Sequence, residues 1–150
     1  MNESKIIEVG SEQETRTLGE KLGSLLVGGE VIELVGDVGA GKTTFVKGLA
    51  KGLKIDEDVQ SPSFTISRVY NARDDLQLAH YDFYRLSDAG IMADELTETT
   101  QDPLTITVIE WADIVEGVLP ENRLRIIFAA PTETTRALTI TSTEKILEQL

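Results

Sequence analysis

GDVGAGKT, Gly36 to Thr43, constrains this chain more than any other stretch. It satisfies G-x-x-x-x-G-K-[ST] throughout, and it stands in the required context, between the strand-like run VIELV (31–35) and a helical segment from about Lys42 to Leu53. The composition follows from the chemistry. Glycines let the backbone turn tightly, so that successive N–H groups converge on phosphate oxygens. The positive end of the following helix dipole adds to that field. Lys42 has the reach for the β- and γ-phosphates, and the Thr43 hydroxyl suits Mg²⁺. Asp37, Val38, Gly39, Ala40, Gly41 and Thr44 complete the loop around the phosphates. The segment is therefore read as a nucleotide site. A guanine-reading Asn-Lys-x-Asp signature after a later strand is missing from the sequence, which favours ATP.

The remaining segments frame this loop in an α/β pattern. KIIEV (5–9) reads as a first strand. Ser11 with Glu14 has the form of a capping box, and Leu18, Leu22, Leu25 and Leu26 continue as one apolar stripe until Gly28-Gly29. FTISRVY (64–70) and LQLAHYDFY (76–84), joined by the turn-rich NARDD, predict an antiparallel pair. A short helix is expected around Ile91 to Leu96. LTITVI (104–109) is apolar enough to be buried on both faces. RLRIIFA (123–129) and ALTIT (137–141) close the sheet, and Thr141 to Glu144 introduces a last short helix, EKILEQL. The expected architecture is a P-loop NTPase-like three-layer sandwich, residues 1–150 forming one domain around a mixed, partly antiparallel sheet.

Charge and composition narrow the partners. With 26 acids against 14 bases and a net charge of −12, the chain lacks the cations that autonomous nucleic-acid binding requires. The same excess disfavours an anionic membrane surface. There is no Cys, which removes disulfides and thiolate metal sites, and a single His cannot make a multi-His site. MNESKIIEVG has no basic region followed by an apolar core, and the apolar runs are too short to span a bilayer, so the expected location is cytoplasmic.

A phosphate-loop enzyme also needs a carboxylate near Mg²⁺ and something to position the attacking group. These belong at the carboxyl ends of central strands, beside the loop. Glu110, which follows LTITVI, and Asp82, which ends LQLAHY, are the two candidates; the plainer reading of either is a solvated acid at a strand end. Between the loop helix and Asp82 lies SPSFT. Pro62 biases Ser61 towards extended backbone, and the hydroxyls of Ser61, Ser63 and Thr65 are candidates for a switch facing the γ-phosphate, although Ser-Pro-Ser is also common in ordinary turns.

GDVGAGKTT, SPSFT, HYDFYRL and VIEWAD, in this order and at these separations, together resemble the TsaE (YjeE) family, small ATPases of bacterial tRNA threonylcarbamoyladenosine synthesis. The resemblance runs from Ser11 to the region of Arg136. It implies a compact P-loop fold, Mg²⁺-ATP binding, slow intrinsic hydrolysis, and action with the TsaD and TsaB proteins on the tRNA adenosine beside the anticodon. By position, Lys42 matches the phosphate lysine, Thr43 the magnesium ligand and Asp82 the acid of the family's H-x-D-x-Y-R segment. Glu110 and Trp111 match a Glu-Trp pair near Mg²⁺ and nucleotide. Ser11, Glu12 and Thr15, at the start of the first helix, are expected near the base, with Arg136 another residue able to approach the nucleotide. Lys42, Asp82 and Glu110 are the expected catalytic set, and Thr43, Glu110 and Asp82 the metal set. The protein is expected to be monomeric when isolated and to meet tRNA only through its partners. Two departures stand out. Ser61-Pro62-Ser63 replaces the usual Ser-Pro-Thr, and 89–102 lacks the expected Leu-Gly-x-x-acid pattern after Tyr-Arg-Leu.

Other features keep two readings. Lys47, Lys51 and Lys54 fall at i, i+4 and i+7, either a solvated face or a contact for a partner or tRNA. His80 reads as a hydrogen-bonded structural residue before a proton carrier. Trp111 is either core filler or a site wall. Two rival functions remain at this level: a small-molecule P-loop kinase, for which 85–103 leaves little room for a lid, and a nucleotide-gated binding module without turnover.

Overall fold

The computed structural model describes residues 3–37, 39–60, 62, 66–84, 86, 90–142 and 145–150. The strands are β1 (Glu3–Val9), β2 (Val31–Val35), β3 (Ser67–Asn71), β4 (Gln77–Asp82), β5 (Thr105–Glu110), β6 (Leu124–Ala129) and β7 (Arg136–Ser142). The helices are α1 (Glu12–Leu25), α2 (Lys42–Gly52) and α3 (Met92–Gln101). All seven strands form one sheet in the order β1-β7-β6-β2-β5-β4-β3. Its centre, β6-β2-β5-β4, is parallel, while β1, β7 and β3 add antiparallel pairs at the two sides.

The central strands are buried on both faces, which is why LTITVI reads as a continuous apolar run. One face packs against α1 and α2 through a core that includes Leu22, Phe45, Leu49, Ile106 and Ile126. The other packs Tyr81, Ile109, Leu96 and Val115 beneath α3 and a 3₁₀ segment, Ala112–Val118. The expected mixed sandwich is therefore the fold. Glu33, buried on β2, is matched by Arg123, whose Nε lies 2.8 Å from its carboxylate. Without that guanidinium an acid at the centre of an apolar strand would be strongly unfavourable.

The contact between α1 and α2 depends on four glycines. A Cβ on Gly19 would lie 2.3 Å from the Phe45 carbonyl oxygen, and one on Gly23 2.3 Å from that of Leu49. From the other side, Gly48 and Gly52 would meet the carbonyl oxygens of Arg16 and Glu20 at 2.1 and 2.2 Å. The helix backbones therefore touch, and two G-x-x-x-G spacings, 19/23 and 48/52, are the sequence trace of it. Both helices begin at the functional cavity described below, so this contact sets the separation of its two walls.

Several local expectations needed correction. The first helix ends at Leu25, before Gly28-Gly29, because Leu26 turns to extended backbone and Arg73 closes the end by donating to Gly23 and Leu26 carbonyls at 2.9 and 2.8 Å. The helix expected at Ile91 to Leu96 runs on to Gln101. The 3₁₀ segment after β5 was not anticipated. At the C-terminus Thr141 belongs to β7, and Lys145–Gln149 form a 3₁₀ turn. Glu144 lies outside the described residues, as do Val38, Ser61, Ser63, Thr65 and Arg85. The lysine face is also broken: α2 ends at Gly52, and Lys54 follows with φ 60°, out of line with Lys47 and Lys51.

Candidate functional site

The strand β2 runs into the glycine loop, and the loop into α2. Gly41 is the N-cap of α2 with φ 103°, a conformation that a side chain makes costly. Gly39 also has positive φ, 84°. The carbonyl of Asp37 accepts from Ala40 N–H at 3.1 Å, closing the turn. Asp37 is exposed and Ala40 buried; both build the loop, and neither lines the cavity beside it.

That cavity has a volume of about 770 Å³. On one side it is bounded by Gly39, Gly41, Lys42, Thr43 and Thr44 at the start of α2. The start of α1 forms another wall through Ser11, Glu12 and Thr15. Ser11 accepts from Glu14 N–H at 3.1 Å, and the Glu14 carboxylate accepts from Gly10 N–H, so the predicted capping box holds this wall in shape. Asp82, Glu110 and Trp111 enter from the ends of β4 and β5, and Arg136 from the start of β7. Parallel pairing places Asp82 directly beside Glu110 in register. Residues some 100 positions apart in sequence thus share one cavity.

Lys42 is buried, at 6% exposure. Its Nζ donates to the Gly36 carbonyl at 2.5 Å, lies 3.8 Å from Glu110 Oε1, and sits 4.3 Å from the centre of the Trp111 ring. Burial pushes its ammonium below the usual lysine range, while the carboxylates of Glu110, Asp82 and Asp37 oppose that shift. Trp111 turns the chain from β5 into the 3₁₀ segment with φ 56°, an uncommon conformation for so bulky a residue. Its ring packs against that of Tyr84 at 4.6 Å, which makes it a site wall that also abuts the core. Asp82 Oδ1 accepts from Tyr84 N–H at 2.9 Å, so its carboxylate helps fix the turn after β4.

Arg136 is turned to the loop backbone. Its Nε donates to the Ala40 carbonyl at 3.2 Å and its Nη2 to that of Gly39 at 3.4 Å, while Nη1 serves carbonyls of Thr132, Glu133 and Thr135. It clamps the phosphate loop to the 132–136 segment. Glu133, Thr134 and Gln13, which also line the cavity, carried no motif that would reveal them in sequence, while Tyr84, another lining residue, is the second tyrosine of HYDFYRL. His80 pairs with Glu110 through a 2.6 Å contact, the hydrogen-bonded reading of that residue.

The donor set suits a hard cation. Thr43, Asp82 and Glu110 all line the cavity and carry the oxygen donors that such a cation prefers. Among the described residues no three His, Cys, Asp or Glu side chains form a metal-holding group.

The sequence model of the family described as "Threonylcarbamoyl adenosine biosynthesis protein TsaE" matches residues 9–138, from the end of β1 into β7. The chain belongs to the TsaE family. It is 36% identical over 140 residues to the tRNA threonylcarbamoyladenosine biosynthesis protein TsaE of Bacillus subtilis, covering 92% of this chain and 85% of that one. The TsaE protein of Treponema pallidum is 39% identical over 130 residues, 87% of this chain and 95% of its own. A crystal structure of Bacillus subtilis YdiB superposes with a TM-score of 0.78 at 34% identity, spanning 99% of this chain and 91% of that one. Every TsaE-like motif quoted above falls within the matched region. Among the described residues no helix is long and apolar enough to cross a membrane.

Proposed function

We propose that this TsaE-family chain is a Mg²⁺-dependent ATPase that supports TsaD and TsaB in placing threonylcarbamoyl on the tRNA adenosine beside the anticodon. The observation that carries the reading is the convergence of Lys42, Asp82 and Glu110 with the glycine loop in one cavity. Family membership supplies the pathway, since the relatives are described as tRNA threonylcarbamoyladenosine biosynthesis proteins.

The residues divide the work. Backbone N–H groups of the loop and the N-terminus of α2 hold the phosphates, and Lys42 supplies the cation beside them. Thr43 and Glu110, with Asp82 alongside, would hold Mg²⁺, which would supply positive charge against the phosphates. The α1 wall around Ser11, Glu12 and Thr15 receives the nucleoside end, and Trp111 closes the phosphate end. Among the described residues Arg136 is the one arginine lining the cavity, and its nitrogens are engaged with backbone carbonyls. An arginine finger is worth roughly 10³–10⁵ in rate to P-loop enzymes. The isolated protein is therefore a slow ATPase, and a partner surface covering the phosphates accelerates it.

The test is steady-state phosphate release by the protein alone and with the TsaD–TsaB complex, counted against tRNA modified. Glu110→Gln, which keeps shape and removes charge, should abolish the Mg²⁺-dependent part. Fast turnover by the lone protein, indifferent to partners, would refute the partner-gated cycle. Phosphorylation of a metabolite in place of hydrolysis would favour a kinase.

A further inference from the structure

His80 lies on β4, wholly buried, on the sheet face that packs against α2. Its Nε2 is 2.6 Å from Glu110 Oε2. The other carboxylate oxygen, Oε1, is the one that faces Lys42 at 3.8 Å. The two oxygens of Glu110 are thus divided, one held by the sheet and one presented to the phosphate loop. Among the described residues, the second ring nitrogen of His80, Nδ1, is buried and has no hydrogen-bond partner. An ionised carboxylate can only accept, so across the 2.6 Å contact the ring carries its hydrogen on Nε2 and donates to Glu110.

We propose that His80 is a positioning residue that locks the rotation of the Glu110 carboxylate and aims Oε1 at the metal and phosphate end of the cavity. The proposal rests on the reading of Glu110 as the acid of a Mg²⁺-nucleotide site. The last torsion of a glutamate is broad, so a carboxylate at a strand end does not hold one orientation unaided. A short hydrogen bond to a charged acceptor removes that freedom. The partners of Glu110 in register cannot do this work: Leu34 is apolar, and Asp82 carries like charge. Histidine also fits the distance, reaching across from β4 to an acid on β5 without exposing either group. Groups that orient metal ligands in this way typically matter by roughly 10–100-fold in metal affinity or activity.

His80 is the single histidine, so its ring nitrogens can be observed without ambiguity in proton–nitrogen correlation spectra of the nucleotide-free protein at neutral pH. The expected spectrum has hydrogen on Nε2 and a bare Nδ1, and Glu110→Gln moves the Nε2 resonance. Hydrogen on Nδ1, or a ring spectrum indifferent to Glu110→Gln, would overturn the proposal. The second arm titrates Mg²⁺ into mixtures of protein and ADP by calorimetry. His80→Phe should raise the Mg²⁺ concentration for half-maximal effect by roughly 10-fold or more, with metal-free ADP affinity unchanged. His80→Gln, whose amide can still donate to Glu110, should recover most of that loss. A folded His80→Phe with the parent's Mg²⁺ response overturns the proposal, as does a folded His80→Gln with no recovery. Should His80→Phe not fold, the ring spectra of the parent and Glu110→Gln decide. If the parent itself binds ADP with no Mg²⁺ dependence, the functional reading fails. A Mg²⁺-dependent parent with an unaffected His80→Phe sinks the role of His80 alone.

Discussion

Lys42 Nζ lies 3.8 Å from Glu110 Oε1 and donates to the Gly36 carbonyl at 2.5 Å, which ties the cation of the phosphate loop both to the loop's own start and to the end of β5. The acid and the base on which the proposed chemistry depends are therefore one buried unit. Changing either alters the surroundings of the other.

Lys42→Met removes the cation and keeps the aliphatic stem, so the core around Phe45 and Val46 stays filled. Affinity for ATP and ADP should fall at least tenfold, about 1.4 kcal/mol. Trp111 is the single tryptophan and lies against Lys42, so ADP should change its emission, and Lys42→Met should remove the change. Calorimetry and fluorescence on the same samples check both. Undiminished affinity in a folded variant would exclude Lys42 from phosphate binding.

The burial of Lys42 has a consequence in alkali. Its folded pKa lies below the usual 10.5, with desolvation the cause. Between the folded value and 10.5 the unfolded chain binds more protons than the native one. Stability from this group therefore rises as pH climbs through that window. Urea unfolding across alkaline buffers should show that rise in the parent and lose it in Lys42→Met. An unchanged slope would assign it to other groups.

Gly48→Ala should destabilise the protein by about 1–3 kcal/mol or more, because the added methyl meets the Arg16 backbone, which cannot move aside as a side chain could. Thermal unfolding measures the loss. Forcing α1 from α2 also widens the cavity between their N-termini, so residual nucleotide affinity should fall in the same variant. A neutral substitution at this site would contradict the backbone contact.

Arg136→Ala releases the carbonyls of Gly39 and Ala40 and should weaken nucleotide binding through a looser loop. Steady-state kinetics separate this from a finger role. Loop loosening raises KM more than it lowers kcat, whereas a loss confined to kcat would mean that the guanidinium acts on the transferred phosphoryl group.

Much of the fold could be read from local signals. VIELV, LTITVI and RLRIIFA announced buried strands because burial on both faces demands unbroken apolar residues, and Ser11 with Glu14 announced the first helix because its free N–H groups need acceptors. The phosphate loop was legible for the same reason: its geometry depends on glycines at fixed positions. Other features left no such local mark. The 3₁₀ segment after Trp111 rests on the second core beneath it, and the extension of α3 to Gln101 is tied to the sheet by Thr99, 3.0 Å from the Tyr81 hydroxyl; strand and helix propensities encode neither contact. The G-x-x-x-G pairs were visible as spacings, but only the packed helices show that their backbones touch. Lys42 could be assigned to phosphate from the motif, yet its burial, its hold on Gly36 and its proximity to Glu110 arise where β2, β5 and α2 meet. The division of labour between the two Glu110 oxygens is also a tertiary fact, since parallel pairing of β4 with β5 brings His80 and Glu110 together across 30 residues of chain. Sequence determined the elements whose chemistry is local; the sheet register decided which side chains became neighbours, because long-range contacts are fixed by how the whole core closes.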